Sequence, residues 1–302
     1  MPDLHVPIML GEVLQCLRPA PGDIAVDCTL GGAGHALAIL DRIQPGGRLI
    51  GLDIDPIELP RAEARIRAAG FGPGAFTACQ ASFGDLAPVL AEQGVVAADV
   101  ILADLGVSSM QHDDPSRGFS YKMPGPLDMR MDPSRGEPAS DLLARLDPSS
   151  LAALLTENAD EPYAALIAER LSRAAVTTTH ALERVVRTGL NDAHPELAKS
   201  QVKMSVRRTF QALRIAVNDE FTALDAWLRA LPASLAAGGR VAVLTFHSGE
   251  DRRVKKAFQA GQRAGTYAEI ARQVIRSAKA ETFANRRAAA AKLRWAVRAP
   301  WC

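Results

Sequence analysis

Three aspartates follow short apolar runs in the first third of the chain, and their spacing suits a ligand-binding crevice. They are Asp27, Asp53 and Asp104. Between the first two lies a glycine-rich turn, Gly31–Gly34, which permits close backbone approach and opens a helix whose N–H groups point outwards. Asp53 stands 19 residues beyond Gly34, the distance at which a carboxylate accepts hydrogen bonds from ribose hydroxyls. The pattern favours a nucleotide-type ligand over a purely structural turn.

The turn lacks the spacing of the common phosphate-binding motifs. It does not read G-x-G-x-x-G, which seats a pyrophosphate, and the chain contains no G-x-x-x-x-G-K-[ST] for a triphosphate. S-adenosylmethionine carries no phosphate, and a strand-end carboxylate such as Asp27 could hold its amino group. The spacing therefore favours S-adenosylmethionine over a nicotinamide dinucleotide as the cofactor.

Asp104 is expected to face the same crevice, because ligands of open α/β sheets lie beyond the carboxyl ends of the strands. There it could hold the N–H groups of an exocyclic amine while the nitrogen lone pair points at the cofactor methyl. The alternative is a carboxylate that only caps a helix or orders a loop. His35 is interpreted either as a residue that caps or packs at the start of the helix or as a cofactor contact, and His247 could face the substrate.

Two other kinds of site are disfavoured by motif spacing. Ser248 follows His247, but the chain has no G-x-S-x-G elbow of a serine hydrolase. The acidic residues of the following loop match no metal-binding spacing and are expected to form Asx turns instead. They are Asp113, Asp114, Asp128 and Asp132. No metal site is predicted.

The elements that must position these residues alternate between strand and helix. Strands are predicted at 24–27, 48–53, 75–79 and 99–104, and helices at 36–43, at 56–69 and up to residue 92. This alternation predicts an α/β fold with a doubly wound, mostly parallel, Rossmann-like sheet. The next comparable apolar strand is 240–246, so the long interval must hold an inserted helical subdomain. A terminal strand is predicted at 293–297.

The inserted segment begins with a loop, 108–136, that is rich in Gly, Pro and Asp. Helices are expected to open at Ser149, to be interrupted at Pro162 and to open again with a cap at Thr179. Apolar residues at spacings of three and four then predict one helical stripe that returns the chain to the sheet. They are Phe210, Leu213, Val217, Phe221, Leu224 and Leu228. The predicted domains are 1–108 with 216–302, and 109–215.

Composition is that of an ordinary globular protein, with 302 residues, 48% of them hydrophobic and 23% charged. No apolar run approaches the length of a membrane span, and the N-terminus lacks the pattern of a secretory signal. The cysteines Cys16, Cys28, Cys79 and Cys302 have neither metal-type nor disulfide-type spacing, which predicts a reduced cytoplasmic protein. The net charge of +1 gives no bulk argument for nucleic acid. Local basic clusters at 207–214, 252–256 and 286–298 are either solvated faces or phosphate contacts.

Several strings together resemble one family, the bacterial ribosomal RNA small subunit methyltransferase H group. They run in the family's order along the whole chain: His5–Pro7, Val26–Thr29, Asp53–Pro56, Asp104–Ser109 with Gln111, Arg117–Ser120, Gly125–Asp132, Arg208–Arg214 with Val217-Asn218, Phe246–Ser248 with Glu250-Asp251, and Lys292–Arg294. The resemblance implies methyl transfer from S-adenosylmethionine to N4 of a cytidine in 16S rRNA, at the decoding centre of the small ribosomal subunit. It implies cofactor contacts at Ala33, Gly34, His35, Asp53, Phe83, Asp104 and Gln111, and a substrate-recognition role for the insertion.

Under this hypothesis Asp104 is the catalytic residue, since it would orient the amino group of the base. Substrate contacts are expected at Ser108, Ser109, Phe119, Phe246 and His247, with Phe119 or Phe246 stacking on the base. No cysteine nucleophile is needed, which separates this reaction from methylation at carbon 5. The oligomeric state is left open between a monomer and a homodimer.

The chain departs from the family's usual strings at Met204–Arg207, at Gly249 and at Arg286–Ala291. These departures fall where RNA contact is expected, outside the cofactor strings. Two alternatives are a methyltransferase acting on another base, a protein or a small molecule, and a ribosome-associated binding module without turnover. The polar residues Asp104 and Gln111 speak against the binding module. A nicotinamide oxidoreductase is disfavoured by the glycine spacing.

Overall fold

The computed structural model describes residues 7–300, so most of the string His5–Pro7 and the residue Cys302 lie outside the described part. Its contacts divide the chain into two compact units, Met1–Gly106 with Phe221–Cys302, and Val107–Glu220. The boundaries predicted from the sequence differ by a few residues. The predicted break after residue 215 falls inside a helix that continues to Val217.

The strands all belong to the first unit. Within the described residues they are β1 Ile24–Asp27, β2 Arg48–Asp53, β3 Phe76–Gln80, β4 Ala98–Asp104, β5 Leu235–Thr245, β6 Tyr267–Ile270, β7 Ile275–Arg276 and β8 Lys292–Arg298. They form one sheet in the order β3-β2-β1-β4-β5-β8-β6, with β7 also paired to β8. The first five are parallel, and β6, β7 and β8 are joined by antiparallel pairings. The predicted doubly wound, mostly parallel α/β fold is confirmed.

The helices alternate with the strands in the first unit and fill the insertion. Within residues 7–300 they are α1 Leu10–Leu17, α2 Gly34–Ile43, α3 Glu58–Ala68, α4 Leu86–Glu92, α5 Ser109–Asp113, α6 Ala139–Arg145, α7 Pro148–Ala159, α8 Ala164–Ser172, α9 Thr179–Ala193, α10 Lys199–Val217, α11 Glu220–Ser234, α12 Ser248–Arg263 and α13 Lys279–Ala284. None of them is both long and apolar enough to cross a membrane.

The sheet of the first unit is buried on both faces, which explains its near-continuous apolar strands. Ala25 and Val26 are fully buried neighbours on β1 and belong to two different hydrophobic clusters. Successive side chains of a strand point to opposite faces, so each strand supplies both layers. The short apolar runs seen in the sequence are central strands for this reason.

The strand register brings the predicted carboxylates to one edge of the sheet. Asp27, the last residue of β1, pairs with Gly51 of β2 and Leu102 of β4. Asp53 and Asp104 each stand two residues beyond those partners, at the ends of their strands. The strand order reverses between β1 and β4, and such switch points are where open α/β sheets bind ligands. We call the carboxyl ends of β1 to β5 the crevice edge.

The second unit is helical, from α5 to α10, around its own hydrophobic cluster. Asp147 caps α7 by accepting from the N–H groups of Ser149 and Ser150, and Thr178 caps α9 by accepting from Ala181 N. The helices predicted to open at Ser149 and with a cap at Thr179 therefore begin slightly earlier. The acidic loop residues form the predicted Asx turns, since Asp114, Asp128 and Asp132 each accept from the N–H two residues on.

The single helical stripe predicted from Phe210 to Leu228 is wrong. The helix α10 ends at Val217, Asp219 adopts a left-handed backbone with φ 50°, and α11 starts at Glu220. Phe210 belongs to the core of the second unit and Leu224 to a core of the first. The regular spacing continues across the break because both helices are amphipathic, but they cover different cores. The strand β5 also begins earlier than the predicted residue 240, at Leu235, and includes Gly238-Gly239, a pair that is typical of turns.

Candidate cofactor and acceptor site

The glycine turn is held by hydrogen bonds from both sides of the crevice edge. Gly31 N donates to Asp53 Oδ2 at 2.8 Å, and Arg65 of α3 donates to Gly32 O at 2.6 Å. Ala33 precedes α2 with a left-handed backbone, φ 62°, and a Cβ added at Gly34 would meet the Pro7 ring at about 3.1 Å. The turn is therefore a preformed cradle of backbone. Its glycines are required by close approach at Gly34 and by positive φ at Gly31.

Asp53 has a structural role besides any ligand contact. Its Oδ1 accepts from Asp55 N at 2.9 Å, while its Oδ2 serves Gly31. A carboxylate oxygen can accept more than one hydrogen bond, so both oxygens keep capacity for hydroxyl donors. The geometry is compatible with the predicted ribose contact, which stays a prediction.

Asp104 is placed by Thr29 and faces His35. The Asp104 N–H donates to Thr29 Oγ1 at 2.6 Å, and Thr29 N donates to Asp27 Oδ1 at 3.1 Å. His35 Nδ1 lies 3.6 Å from Asp104 Oδ2. The Asp104 side chain is 27% exposed as a whole, but its Oδ1 atom is buried and has no hydrogen-bond partner within residues 7–300. Within residues 7–300 it is the one buried strand-end carboxylate oxygen that has no hydrogen-bond partner at all.

His35 is not a helix cap. The residue at the N-cap of α2 is Ala33, and His35 is the second residue of the helix, only 6% exposed. Its Nε2 lies 3.0 Å from Ile8 O, and because a carbonyl oxygen only accepts, Nε2 carries the proton of that bond. Nδ1 is then the nitrogen turned toward Asp104. The structure excludes the cap and shows His35 packed against Ile8, beside Asp104. A contact between His35 and the cofactor stays a prediction.

The three strand-end carboxyls resist ionisation. Burial, with a contribution from Asp53, raises the pKa of Asp27 to about 7. Burial also raises the pKa of Asp53 to about 6, against the hydrogen bonds from Asp55 and Gly31 that lower it. Burial first, and then the charges of Asp27 and Glu250, raise the pKa of Asp104 to about 8. No Lys or Arg forms an ion pair with any of the three among the described residues. A negative charge on any of them would therefore have no Lys or Arg to balance it.

This donor set fits S-adenosylmethionine. The cofactor bears two positive centres, the sulfonium and the α-ammonium, and an uncompensated carboxylate cluster is stabilised by a cation. The cluster lies beside the glycine turn, whose spacing matches no phosphate-binding motif. The unused Oδ1 of Asp104 can accept a hydrogen bond from a further N–H group. Asp27 and Asp53 would hold the cofactor, which supplies an electrophilic methyl group.

Phe246 and His247 are tied to the start of α12 by Glu250. Glu250 Oε2 accepts from Phe246 N at 2.8 Å, and Glu250 N donates to His247 Nδ1 at 3.4 Å. His247 Nε2 is 3.0 Å from Glu250 Oε1 without the alignment of a hydrogen bond, and the His247 ring packs on Phe221 at 5.7 Å. His247 is thus the N-cap of α12, at the crevice edge. Phe246 follows β5 and is half-buried.

The remaining predicted residues divide between the units. Phe83 is half-buried in a short 3-10 helix that follows β3, so it belongs to the crevice edge of the first unit. The other four predicted residues belong to the second unit. There Ser108 Oγ accepts from Gln111 N at 3.1 Å and Gln111 Oε1 accepts from Ser108 N at 2.9 Å, a capping box that begins α5 just before Ser109. Phe119 is 8% exposed and packs in the core of that unit with the Arg117 guanidinium 5.9 Å from its ring.

Two residues of the site had no role assigned from the sequence. Thr29 joins the Asp27 carboxylate of β1 to the backbone N–H of Asp104 on β4. Glu250 contributes to the raised pKa of Asp104 and accepts a hydrogen bond from Phe246 N. Neither has a local signature, because a Thr after a strand and a Glu in the first turn of a helix are common. Their strings were noted only through the family resemblance. Phe119, expected to stack on a base, has a packing role instead, so Phe246 is the better supported of the two aromatic candidates.

Comparisons with known proteins identify the family of the chain. A family model described as the MraW methylase family matches residues 3–299. Ribosomal RNA small subunit methyltransferase H 2 of Alkaliphilus metalliredigens is 44% identical over 301 residues, 98% of this chain and 86% of that protein. Ribosomal RNA small subunit methyltransferase H of an Anaeromyxobacter species is 44% identical over 307 residues, 96% of each protein.

Solved structures are similar at a much lower level. An rRNA methylase from Streptococcus thermophilus overlaps with 96% of this chain and 93% of its own, with a TM-score of 0.40 and 8% identity. An S-adenosylmethionine-dependent O-methyltransferase from Thermotoga maritima overlaps with 97% of this chain and 65% of its own, with a TM-score of 0.43. Similarity at this level carries no functional argument. The sequence matches, which extend over nearly the whole length, show that the chain belongs to the MraW methylase family.

Proposed function

We propose that this protein is an S-adenosylmethionine-dependent rRNA methyltransferase that modifies N4 of a cytidine in 16S rRNA, at the decoding centre of the small ribosomal subunit. The observation that carries the proposal is the buried, unused Oδ1 of Asp104 beside the glycine cradle. Membership of the MraW methylase family and relatives named ribosomal RNA small subunit methyltransferase H support the rRNA acceptor. A ribosomal substrate also implies that the enzyme works in the cytoplasm.

The cofactor contacts follow the crevice edge. Asp27 would hold the α-ammonium group and Asp53 the ribose hydroxyls, while the backbone at Ala33 and Gly34 approaches closely enough to line the cofactor. His35 and Phe83 complete the set from the first unit. The family resemblance adds Gln111 of the second unit to the cofactor contacts. Gln111 also forms the capping bond with Ser108.

Asp104 provides the acceptor chemistry. Its Oδ1 would accept a hydrogen bond from the exocyclic N4–H, which turns the nitrogen lone pair toward the methyl group. A carboxyl with a pKa of about 8 is also suited to take the proton that N4 loses as the new N–C bond forms. Phe246 would stack on the base, with His247, Ser108 and Ser109 as further substrate contacts.

The deciding experiment supplies methyl-labelled S-adenosylmethionine with either free 16S rRNA or purified small subunits, followed by nucleoside analysis. We expect label in N4-methylated cytidine. The yield should be higher with the substrate in which the decoding centre has the conformation that the enzyme binds. Label on protein, or on carbon 5 of the base, would contradict the proposal. Absence of label with both substrates, in a protein that binds the cofactor, would favour a binding module.

A further inference from the structure

The segment between β7 and β8 carries an exposed aromatic ring in a basic setting. Phe283 of α13 is 92% exposed and is the one aromatic ring among the strongly exposed large apolar side chains of residues 7–300. The segment 272–287 holds five basic residues and one acid, Glu281. A single exposed Phe is common on protein surfaces and by itself indicates no function. The position of Phe283 in the fold and the basic residues near it in the chain indicate one.

The segment lies at the crevice edge. Lys292, the first residue of β8, pairs with Thr245 at the end of β5, and Arg276 of β7 pairs with the same Lys292. The chain from 277 to 291 therefore leaves and re-enters the sheet at the edge that bears Asp104, whose partner on β5 is Leu244. Glu281 Oε1 also accepts from Met9 N at 2.7 Å, next to the Ile8 carbonyl that binds His35.

The ring is presented by a fixed scaffold. Ser277 Oγ donates to Ala288 O at 2.8 Å and lies 3.0 Å from Thr282 Oγ1, so both ends of the segment are joined. Ala288 and Ala291 are buried in a core of the first unit. Asn285 caps a short 3-10 helix, Arg286–Ala290, by accepting from Arg287 N. Phe283 is thus exposed on a segment that hydrogen bonds and core contacts hold in place.

Basic residues flank the ring along the chain. Lys279 is four residues before Phe283 and shares its face of α13, since residues four apart on a helix are neighbours. Lys279, Arg276 and Arg286 are exposed and form no ion pair within residues 7–300. By contrast, Lys292 and Arg294 are already used by Asp251 of α12, at 3.4 and 2.6 Å. An aromatic face with unpaired cations beside it is the pattern that binds single-stranded nucleic acid, by stacking and phosphate contact.

We propose that Phe283 stacks on an unpaired base of the RNA next to the target nucleotide, while Lys279, Arg276 and Arg286 contact its phosphates. The inference rests on the proposed function, because it assigns the docking surface of the same substrate. A target base held at Asp104 leaves its flanking nucleotides along the crevice edge. The basic face of α12, with Arg252, Lys255 and Lys256, lacks an exposed aromatic ring among the described residues and is the weaker candidate.

The test measures binding of a fluorescein-labelled oligocytidylate RNA of about 12 nucleotides, by fluorescence anisotropy. Phe283→Ala should weaken binding about tenfold, within the range expected for the loss of one stacked base. Phe283→Tyr should restore it and Phe283→Leu should not, because stacking needs a ring. Val96→Ala is the matched control, since Val96 is 94% exposed but precedes β4, at the opposite edge of the sheet. It should bind like the wild type.

Charge is tested separately. Arg286→Gln should lower the slope of log affinity against log salt by about one, as the loss of one phosphate contact does. Arg263→Gln, at the far end of α12, should leave the slope unchanged. With small subunits as substrate, Phe283→Ala should raise KM for RNA but not KM for S-adenosylmethionine.

Unchanged RNA affinity in Phe283→Ala overturns the inference and leaves the proposed function standing. So does a change of sedimentation from dimer to monomer without loss of RNA binding, which would assign the patch to a second copy of the chain. A wild-type protein that binds RNA through Phe283 but labels no cytidine would do the reverse. It would retain the docking surface and contradict the proposed function.

Discussion

Asp104 is costly to ionise where it stands, and that cost is informative. Its backbone is fixed by Thr29 and its Oδ2 faces His35, yet Oδ1 is buried without a partner among the described residues. Buried polar atoms are almost always hydrogen-bonded, so an exception at a strand end in a switch-point crevice indicates a ligand that supplies the donor. Asp27 is also costly to ionise, because burial raises its pKa to about 7. A bound cation would lower that cost.

Replacing Asp104 with Asn should reduce methyl transfer by about 100-fold or more, because the amide neither accepts a proton nor keeps a negative charge beside N4. The rate is measured as label incorporated into cytidine under single-turnover conditions. Asp41→Asn, an exposed aspartate on α2, is the control and should retain the wild-type rate. Near-normal transfer by Asp104→Asn would remove Asp104 from the mechanism.

Cofactor binding should strengthen as the pH rises from about 6 to about 8. The carboxyls of Asp27 and Asp104 have pKa values of about 7 and about 8, so below these values they are neutral and cannot hold a cation. Each proton released on binding makes the affinity change about tenfold per pH unit below the pKa. Isothermal titration at pH 7 in two buffers of different ionisation enthalpy should detect net proton release. An affinity that is constant from pH 6 to pH 8 would contradict this account.

At the scale of elements, the junction between α10 and α11 is where the sequence pattern was misleading. Asn218 ends α10 by donating from Nδ2 to Arg214 O, and it also donates to Met129 O while its Oδ1 accepts from Met131 N. One amide thus closes a helix and holds the loop 125–132, all within the second unit. The spacing of the apolar residues across the junction gives no indication of these hydrogen bonds.

Asn218→Ala should lower the free energy of unfolding by about 2–4 kcal/mol, because it leaves several backbone groups of the loop unsatisfied. Urea unfolding measures the change, and trypsin should cleave faster at Arg130 in the released loop. Asn191→Ala, on the exposed side of α9, should change stability by less than about 0.5 kcal/mol. Equal stability of the two variants would mean that the loop is held by other contacts.

At the scale of the whole molecule, the carboxylate cluster should make the ligand-free protein less stable as the pH rises. The pKa values of Asp27, Asp53 and Asp104 lie at about 7, 6 and 8, above the value of 3.8 for a free side chain. A raised pKa in the folded state contributes stability that is complete below about pH 4 and is lost as the pH rises through the folded values. Other groups act in the opposite sense, such as Asp251. Burial raises the pKa of Asp251, but the hydrogen bonds and charges of Arg294 and Lys292 together outweigh burial and lower it.

A difference measurement isolates the effect. The melting temperature of Asp104→Asn minus that of the wild type should grow from pH 5 to pH 9 without cofactor, by about 2–4 °C for each kcal/mol recovered. Differential scanning fluorimetry across this range provides the curve. Added S-adenosylmethionine should narrow or reverse the difference, because the cation stabilises the wild-type carboxylate. A difference that does not vary with pH would show that the pKa of Asp104 in the folded protein is not raised into this range.

Much of the first unit could be predicted from the sequence, because central parallel strands are short apolar runs and their alternation with helices is a local pattern. β1, β2 and β4 were predicted to within a residue or so, and with them the edge at which Asp27, Asp53 and Asp104 meet. The start of β5 was missed because Gly238-Gly239 resembles a turn. The role of His35 was undecided, since a histidine early in a helix is equally consistent with a cap and with a ligand contact.

The sequence by itself determined the sheet, its crevice edge, the glycine cradle and the family, because each is written in short-range patterns or in strings that match along the chain. Only the tertiary structure decided which atoms meet. Thr29 binds Asp104 across 75 residues, and Glu281 binds Met9 across 272, and no local pattern encodes such pairs. It likewise decided that the stripe from Phe210 to Leu228 breaks between two cores, and that Phe283 faces solvent at the crevice edge. Exposure and unused hydrogen-bond capacity are properties of the packed chain, so they appear only when distant segments come together.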